Sequence, residues 1–191
     1  IASCLVGSEM CIRDSAWVTG VRWCPSVHTE PLAALLTSSV DHSVIVWTPD
    51  AATSSWPTLQ DAGAAVGSLW LPAHRLGDVG SSSGGFLGAH WRPHRDLCVV
   101  AHDRQGAMHM WRRTATHKWE PQATISGHAG PARDAAWERY GDCFLTVGQD
   151  RTTRLHGTVH TARAGRTWHE LARPQTHGYE MQSVAWLGGT S

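Results

Sequence analysis

The stretch that decides the fold runs from Ser126 to His156 and reads SGHAGPARDAAWERYGDCFLTVGQDRTTRLH. It contains an apolar run that ends in Trp137, a polar turn, a second apolar run, a turn centred on Asp150 and a third, alternating run. Short strands separated by polar turns are typical of antiparallel sheets, and they exclude an alternation of helices and strands. The stretch therefore predicts one unit of an all-β fold.

The same pattern recurs on both sides of this unit, and tryptophans mark the recurrence. Eleven of the fifteen aromatic residues are tryptophan, which indicates a repeated position. The runs that open a unit end at Trp23, Trp91, Trp137 and Trp186, and the later runs end at Trp47, Trp111 and His156. Together with the Gly-His pair before Trp137, this pattern resembles the WD40 repeat, whose unit of ~40 to 45 residues forms one propeller blade.

The repeat predicts a partial WD40 β-propeller with about four four-stranded blades. We place a blade with long insertions at residues 16–80, two further blades at 81–120 and 121–170, and the start of another at 171–191. Residues 1–15 have no repeat register, and we interpret them as a lead-in that is not native, such as translated linker sequence.

The WD40 resemblance also implies a structural hydrogen-bond network. In such repeats an aspartate between the second and third strands joins a Gly-His histidine, a strand hydroxyl and the terminal tryptophan. The residues assigned to this role are Asp41, Trp47, Trp111, His128, Thr146 and Asp150. Because His156 replaces the tryptophan of the third copy, we expect an imperfect network there. The second copy has Gln105 and no Gly-His, so it departs further.

The charges exclude a chain that binds nucleic acid through its overall charge. Lysine plus arginine and aspartate plus glutamate number 16 each. One segment is nevertheless basic, with Glu170 as its single acid and five arginines at positions Arg151, Arg154, Arg163, Arg166 and Arg173. These are candidates for contact with RNA phosphate or an acidic partner. The alternative is that they are solvated residues at a blade edge.

No motif predicts a catalytic, cofactor or metal site. The histidine pairs spaced by four residues lie in strand or loop context, and the HExxH, GxSxG and phosphate-loop patterns are absent from the sequence. Five cysteines without a CxxC pair favour a reducing compartment, and no stretch has the length of a membrane span or the pattern of a signal peptide. We therefore expect a protein that is not an enzyme.

Several segments outside the generic repeat resemble the Elongator complex protein 2 family. The most specific is Trp168–Tyr179, WHELARPQTHGY, because blade geometry does not demand this sequence. The others are residues 39–50, 75–80, 106–111, 125–128 and 150–155. The family's members have two joined seven-bladed propellers, so the resemblance implies a fragment that spans the end of one and the beginning of the next.

The resemblance implies a non-catalytic scaffold in Elongator, which modifies the wobble uridine of certain transfer RNAs, while another subunit carries the chemistry. The implied partners are the large scaffold and catalytic subunits, with indirect or weak transfer RNA contact and neither a membrane nor a small-molecule substrate. The expected location is the cytoplasm, with the nucleus as a second compartment. The alternatives are a generic WD40 adaptor in another complex, and a propeller that binds RNA directly or carries catalytic residues at its mouth.

Overall fold

Three antiparallel sheets follow one another along the chain in the computed structural model. It describes residues 16–25, 34–49, 70–77, 84–94, 96–161 and 165–187. The proposed lead-in at residues 1–15 and the candidate Arg163 lie outside the described residues. Within them every regular element is a strand, which confirms the all-β class and the repeated sheets expected of WD40 blades. None of the described residues belongs to a helix that could cross a bilayer.

Each sheet is an up-and-down arrangement in which consecutive strands pair. The first contains β1 (Val18–Trp23), β2 (Leu35–Ser39), β3 (Val44–Pro49) and β4 (Trp70–Leu76). The second contains β5 (Phe86–Trp91), β6 (Cys98–Asp103), β7 (Ala107–Arg113) and β8 (Trp119–Pro121), and the short β9 (Ile125–Ser126) pairs with β7. The third contains β10 (Ala132–Trp137), β11 (Cys143–Gly148), β12 (Thr152–Thr161) and β13 (Gly165–Thr176).

Two apolar layers hold the sheets together, and β6 contributes to both. Val99 belongs to the layer between the first and second sheets, where it joins Phe86. The next residue, Val100, belongs to the layer between the second and third sheets, which also contains Phe144. Successive side chains of a strand point to opposite faces, so β6 is buried on both sides. Blades stacked face to face have this property, because each sheet covers its neighbours.

The contact between successive sheets recurs at the end of the described chain. The indole N–H of Trp91 at the end of β5 donates to the carbonyl of Arg22 in β1 at 3.3 Å. The indole N–H of Trp186 donates in the same way to the carbonyl of Ala136 in β10 at 2.8 Å. Arg22 and Ala136 each precede the tryptophan that ends their strand. The segment around Trp186 therefore lies against the third sheet as β5 lies against the first.

Candidate functional site

A continuous chain of hydrogen bonds runs through the third sheet. Oδ1 of Asp150, in the turn between β11 and β12, lies 2.9 Å from Nδ1 of His128. Nε2 of that imidazole lies 2.8 Å from Oγ1 of Thr146, which in turn lies 3.0 Å from Nε2 of His156. The backbone N–H of Ala129 donates to the other carboxylate oxygen of Asp150 at 3.0 Å. The structure thus brings together the three residues that the sequence grouped in this copy.

The acceptor atoms in this series of hydrogen bonds determine which nitrogen or oxygen carries each proton. The Asp150 carboxylate only accepts, so His128 carries its proton on Nδ1 and accepts the Thr146 hydroxyl proton at Nε2. Thr146 Oγ1 then accepts from the Nε2–H of His156. Every donor therefore points toward Asp150. The histidine in the tryptophan position keeps this series of hydrogen bonds continuous, where the sequence led us to expect an imperfect network.

Burial keeps both imidazoles neutral. It lowers the pKa of His156 to about 4, and the neighbouring His128 adds to this effect. Burial also lowers the pKa of His128, outweighing the opposing hydrogen bond and charge of Asp150. For Asp150, burial raises the pKa, but hydrogen bonds from His128, the Ala129 amide and Thr152 outweigh it and hold the pKa below its usual value. An ionised carboxylate and two neutral imidazoles are what the proton positions require.

An aspartate, a histidine and a hydroxyl in a row also occur in hydrolase triads, so the accessibility of the hydroxyl decides its role. Thr146 is 0% exposed, and the side chain of His128 is also 0% exposed. Imidazoles lie on both sides of the Thr146 hydroxyl. A nucleophile has to reach the carbon that it attacks, and an enclosed hydroxyl cannot. The arrangement fastens β11, β12 and the Gly-His turn to one another.

The first sheet contains part of the same network. Thr37, Asp41 and Trp47 have the spacing of Thr146, Asp150 and His156. The indole N–H of Trp47 donates to Thr37 Oγ1 at 2.9 Å, so His156 makes the bond that a tryptophan makes here. Asp41 accepts the backbone N–H of Ser43 at 2.9 Å and pairs with Arg75 at 3.1 Å.

The second sheet uses another pair that the sequence reasoning missed. The equivalent positions are Ala101, Gln105 and the predicted network residue Trp111. Asp103 instead accepts the backbone N–H groups of Gln105 and Ala107 through Oδ1, and its Oδ2 lies 2.9 Å from Nε2 of His109. Burial raises the pKa of Asp103, but the bonds from His109 and Ala107 outweigh it, so the pKa is lowered overall. In the sequence, the signal for this pair is the aspartate that ends β6 followed by a histidine six residues later.

The structure separates the arginines that the sequence grouped as one basic segment. Arg154 is only 4% exposed, and its guanidinium contacts Asp150 at 3.0 Å, Glu170 at 2.6 Å and the Thr152 hydroxyl at 3.1 Å. Arg173 pairs with the other oxygen of Glu170 at 2.6 Å, but its side chain is 59% exposed.

The other described arginines of this segment, Arg151 and Arg166, are exposed. Arg151 lies in the turn that precedes β12 and adopts a φ of 64°. Among the described arginines of this segment, those that solvent can reach lie in the Arg151 turn and on β13, whereas Arg154 is buried in the sheet.

A second polar cluster lies where the second and third sheets meet. It contains His90 of β5, His102 of β6 and Asp134 of β10. Burial lowers the pKa of His90 to about 3, with smaller contributions from His102 and Arg22. Burial likewise lowers the pKa of His102. A similar trio, His42, Asp103 and His109, lies between the first and second sheets.

Comparison with known proteins gives consistent names. No protein-family model matches the chain. Elongator complex protein 2 of Danio rerio is 36% identical over 178 residues, which is 90% of this chain and 20% of that protein. The Drosophila melanogaster protein of the same name is 37% identical over 173 residues, with the same two coverages. The Schizosaccharomyces pombe protein is 36% identical over 181 residues, 95% of this chain and 22% of that protein. The chain thus spans about a fifth of the length of the curated relatives that it matches.

Proposed function

The chain belongs to the Elongator complex protein 2 family, and from that membership we propose that it contributes to a non-catalytic propeller scaffold for other Elongator subunits. The process that this scaffold serves is the modification of the wobble uridine of transfer RNA. Its partners are the large scaffold subunit and the catalytic subunit, and it works in the cytoplasm, with the nucleus as a second compartment.

One observation carries the proposal. Nine-tenths or more of the chain aligns with proteins of one name from a vertebrate, an insect and a fungus. The name of those relatives describes them as part of a complex, so a contribution to assembly is the function that follows most directly. An all-β stack of rigid sheets suits this role, because propellers present loops and strand edges to partners from a fixed frame.

Polar side chains that hydrogen-bond to one another inside the third sheet support a scaffold over an enzyme. Asp150, His128 and Thr146 are the described groups that most resemble catalytic machinery, and they bond to one another in the sheet interior. The Glu170 carboxylate is shared between Arg154 and Arg173. These groups stabilise blade geometry, which a scaffold needs in order to hold its partners at fixed positions.

The surface that we assign to partner contact is the β12–β13 hairpin. Leu171 is 51% exposed and Val159 is 39% exposed on it, and Arg166 and Arg173 place positive charge on β13. Exposed apolar side chains beside arginine are common in protein interfaces. The second candidate is direct RNA contact through Arg151, Arg166 and Arg173, which is favoured by their exposure and their charge.

Purification of the native full-length protein tests the function. We expect the large scaffold and catalytic subunits of Elongator to co-purify with it. The paired charge reversal Arg166→Glu and Arg173→Glu should weaken binding of a subunit by about tenfold, which corresponds to ~1.4 kcal/mol. The matched control is Arg112→Glu, an exposed arginine of β7. Recovery of the wild-type protein without Elongator subunits would contradict the scaffold proposal.

Crosslinking to transfer RNA in the assembled complex separates the two candidate roles of the hairpin. Protein contact predicts that charge reversal releases a subunit while crosslinks to this chain stay weak and unchanged. RNA contact predicts strong crosslinks at β13 that are lost on charge reversal and that weaken steeply with salt. In that case the subunits stay bound.

A further inference from the structure

We propose that His90, His102 and Asp134 form a binding site for a divalent transition-metal ion of the Zn²⁺ type at the contact between the second and third sheets. The ion would join β5 and β6 to β10 and so tie two sheets together. Two imidazoles and one carboxylate are ligands that Zn²⁺ accepts.

The distances fit such an ion. One possible ligand atom from each of the three residues lies within 4.8 Å of the other two. Nε2 of His90 lies 3.7 Å from Oδ1 of Asp134. Tetrahedral zinc with bonds of about 2.0 to 2.2 Å holds its ligand atoms about 3.4 Å apart. Small side-chain movements therefore bring the three groups to bonding distance.

A backbone contact orients His102 for coordination. Its Nδ1 lies 2.7 Å from the carbonyl oxygen of Ala132, on the strand that carries Asp134. A carbonyl oxygen only accepts, so Nδ1 bears the proton and the lone pair is on Nε2. Metal-bound histidines commonly make this bond to a backbone carbonyl through the other ring nitrogen.

A glycine makes room for that ring nitrogen. Gly88 of β5 is the register partner of His102, so the two residues share a face of the sheet. A Cβ added at Gly88 would lie 2.4 Å from Nε2 of His102. His90, two residues along β5, lies on the same face, and its ring centroid is 5.7 Å from that of His102. The missing side chain at Gly88 lets the two imidazoles lie side by side.

Asp134 is held in place from two directions. Its Oδ1 accepts the backbone N–H of Ala135 at 2.9 Å, and its Oδ2 accepts that of Val184 at 3.1 Å. The side chains of His90 and Asp134 are 13% and 22% exposed, which gives an ion a path from solvent. Three protein ligands leave one tetrahedral position for water.

The trio between the first and second sheets fits less well. Its Asp103 accepts two backbone N–H groups, as Asp134 does, but it also lies within hydrogen-bond distance of Nε2 of His109, at 2.9 Å. A metal there would have to replace an existing hydrogen bond, whereas the corresponding distance at Asp134 is 3.7 Å. His109 therefore provides an informative comparison in a metal-binding experiment.

The experiment measures Zn²⁺ binding to the native full-length protein after chelator treatment, by competition with a chromophoric chelator. Co²⁺ in place of Zn²⁺ reports the coordination through its visible absorption bands. We compare wild type with His90→Gln, His102→Gln and Asp134→Asn. The controls are His109→Gln and His94→Gln, the latter at an exposed histidine between β5 and β6. Circular dichroism checks that each variant is folded. Asp134→Asn keeps the size of the side chain and one of the two oxygens that accept backbone N–H groups, so it decides the matter if a histidine variant does not fold.

We expect one Zn²⁺ site that is lost in the three ligand variants and retained in both controls. Its affinity should fall by more than about 100-fold in each ligand variant, because loss of an outer-shell partner alone costs ~10- to 100-fold. The proposal is overturned if the wild type binds no zinc. It is equally overturned if no ligand variant changes the binding, or if His109→Gln abolishes it while His90→Gln and His102→Gln do not.

Discussion

The third and second sheets stabilise the same turn with different polar groups. In the third sheet the turn aspartate, Asp150, is bonded to His128 and through it to Thr146 and His156. In the second sheet the aspartate sits two positions earlier, as Asp103, and its partner is a histidine of the next strand, His109. Both carboxylates accept backbone N–H groups of the turn that follows. The difference is that the hydrogen bonds of the third sheet continue from His128 to a buried hydroxyl and a second imidazole, whereas those described for the second sheet end at His109.

The comparison shows which part of the repeat the fold requires. Both sheets need a carboxylate that satisfies the turn amides and an imidazole that stabilises its charge. Ala101 of the second sheet is fully buried without a polar group, in a layer of apolar side chains. A buried strand hydroxyl occurs where a buried ring nitrogen needs a partner, since Thr146 bonds to His128 and His156 and Thr37 bonds to the Trp47 indole.

The largest effect should come from Thr146→Val, which removes the hydroxyl and keeps the shape. It leaves ring nitrogens of His128 and His156 buried without this partner. Each unsatisfied buried group costs about 1 to 3 kcal/mol, so we expect the free energy of unfolding to fall by about 2 to 5 kcal/mol. Thermal and urea unfolding measure the change. Thr37→Val in the first sheet is the matched control, and it should cost about 1 to 2 kcal/mol because only the Trp47 indole loses a partner.

The next effect is on the pH dependence of stability. Unfolded His156 has its ordinary pKa of about 6.5, whereas the folded value is about 4. Between these values the unfolded chain binds a proton that the folded protein does not, so stability falls as the pH decreases from about 6.5 to about 4. The loss amounts to about 3 kcal/mol. His156→Trp, which restores the residue found in the first sheet, should remove this part of the acid sensitivity.

Urea unfolding at a series of pH values tests this expectation. His160→Gln, on the exposed end of β12, is the control and should leave the slope as in wild type. An unchanged slope in His156→Trp would show that His156 does not change protonation on unfolding.

A smaller loss should follow Asp103→Asn in the second sheet. The amide oxygen can still accept turn N–H groups, but the charge-assisted bond with His109 is lost. We expect the free energy of unfolding to fall by about 1 to 2 kcal/mol, because hydrogen bonds to charged groups contribute ~1.5 to 3 kcal/mol. Urea unfolding of Asp103→Asn, of His109→Gln and of the double variant measures this loss. Additive losses in the double variant would contradict a direct interaction.

The smallest effect should come from Gln105→Asp, which places a carboxylate at the second-sheet position equivalent to Asp150. An aspartate at this position cannot form the network of the third sheet, because Ala101 supplies no hydroxyl and no Gly-His turn precedes this sheet. We expect a change within about 0.5 kcal/mol, as for an ordinary surface substitution. A gain above about 1 kcal/mol would mean that the aspartate position alone stabilises the turn.

The sequence predicted the strands and the residues of the third-sheet network because both depend on local spacing. Alternating runs between polar turns define the strands, and the WD40 resemblance grouped Asp150, His128 and Thr146. The same resemblance assigned Trp47, but its partner Thr37 was not assigned, although it precedes Trp47 by ten residues as Thr146 precedes His156. These features repeat at fixed intervals along the chain, so one sequence suffices to find them.

The sequence could not predict contacts set by strand register or by packing between sheets. Arg154 lies opposite Thr146 in the register of β11 and β12, so its side chain shares the buried face, although its neighbours suggested a solvated basic segment. His90, His102 and Asp134 come from three strands of two sheets. Their proximity depends on how the second and third sheets stack, which spacing along the chain does not encode.

The measurement that tests the account most directly is co-purification of Elongator subunits with native full-length protein that carries Thr146→Val, compared at low and high temperature. A structural role for the third-sheet network predicts wild-type recovery of subunits where the variant is folded, and loss at the temperature where circular dichroism shows that it unfolds. Loss of subunits from a variant that stays folded, with the melting temperature of the wild type, would contradict it.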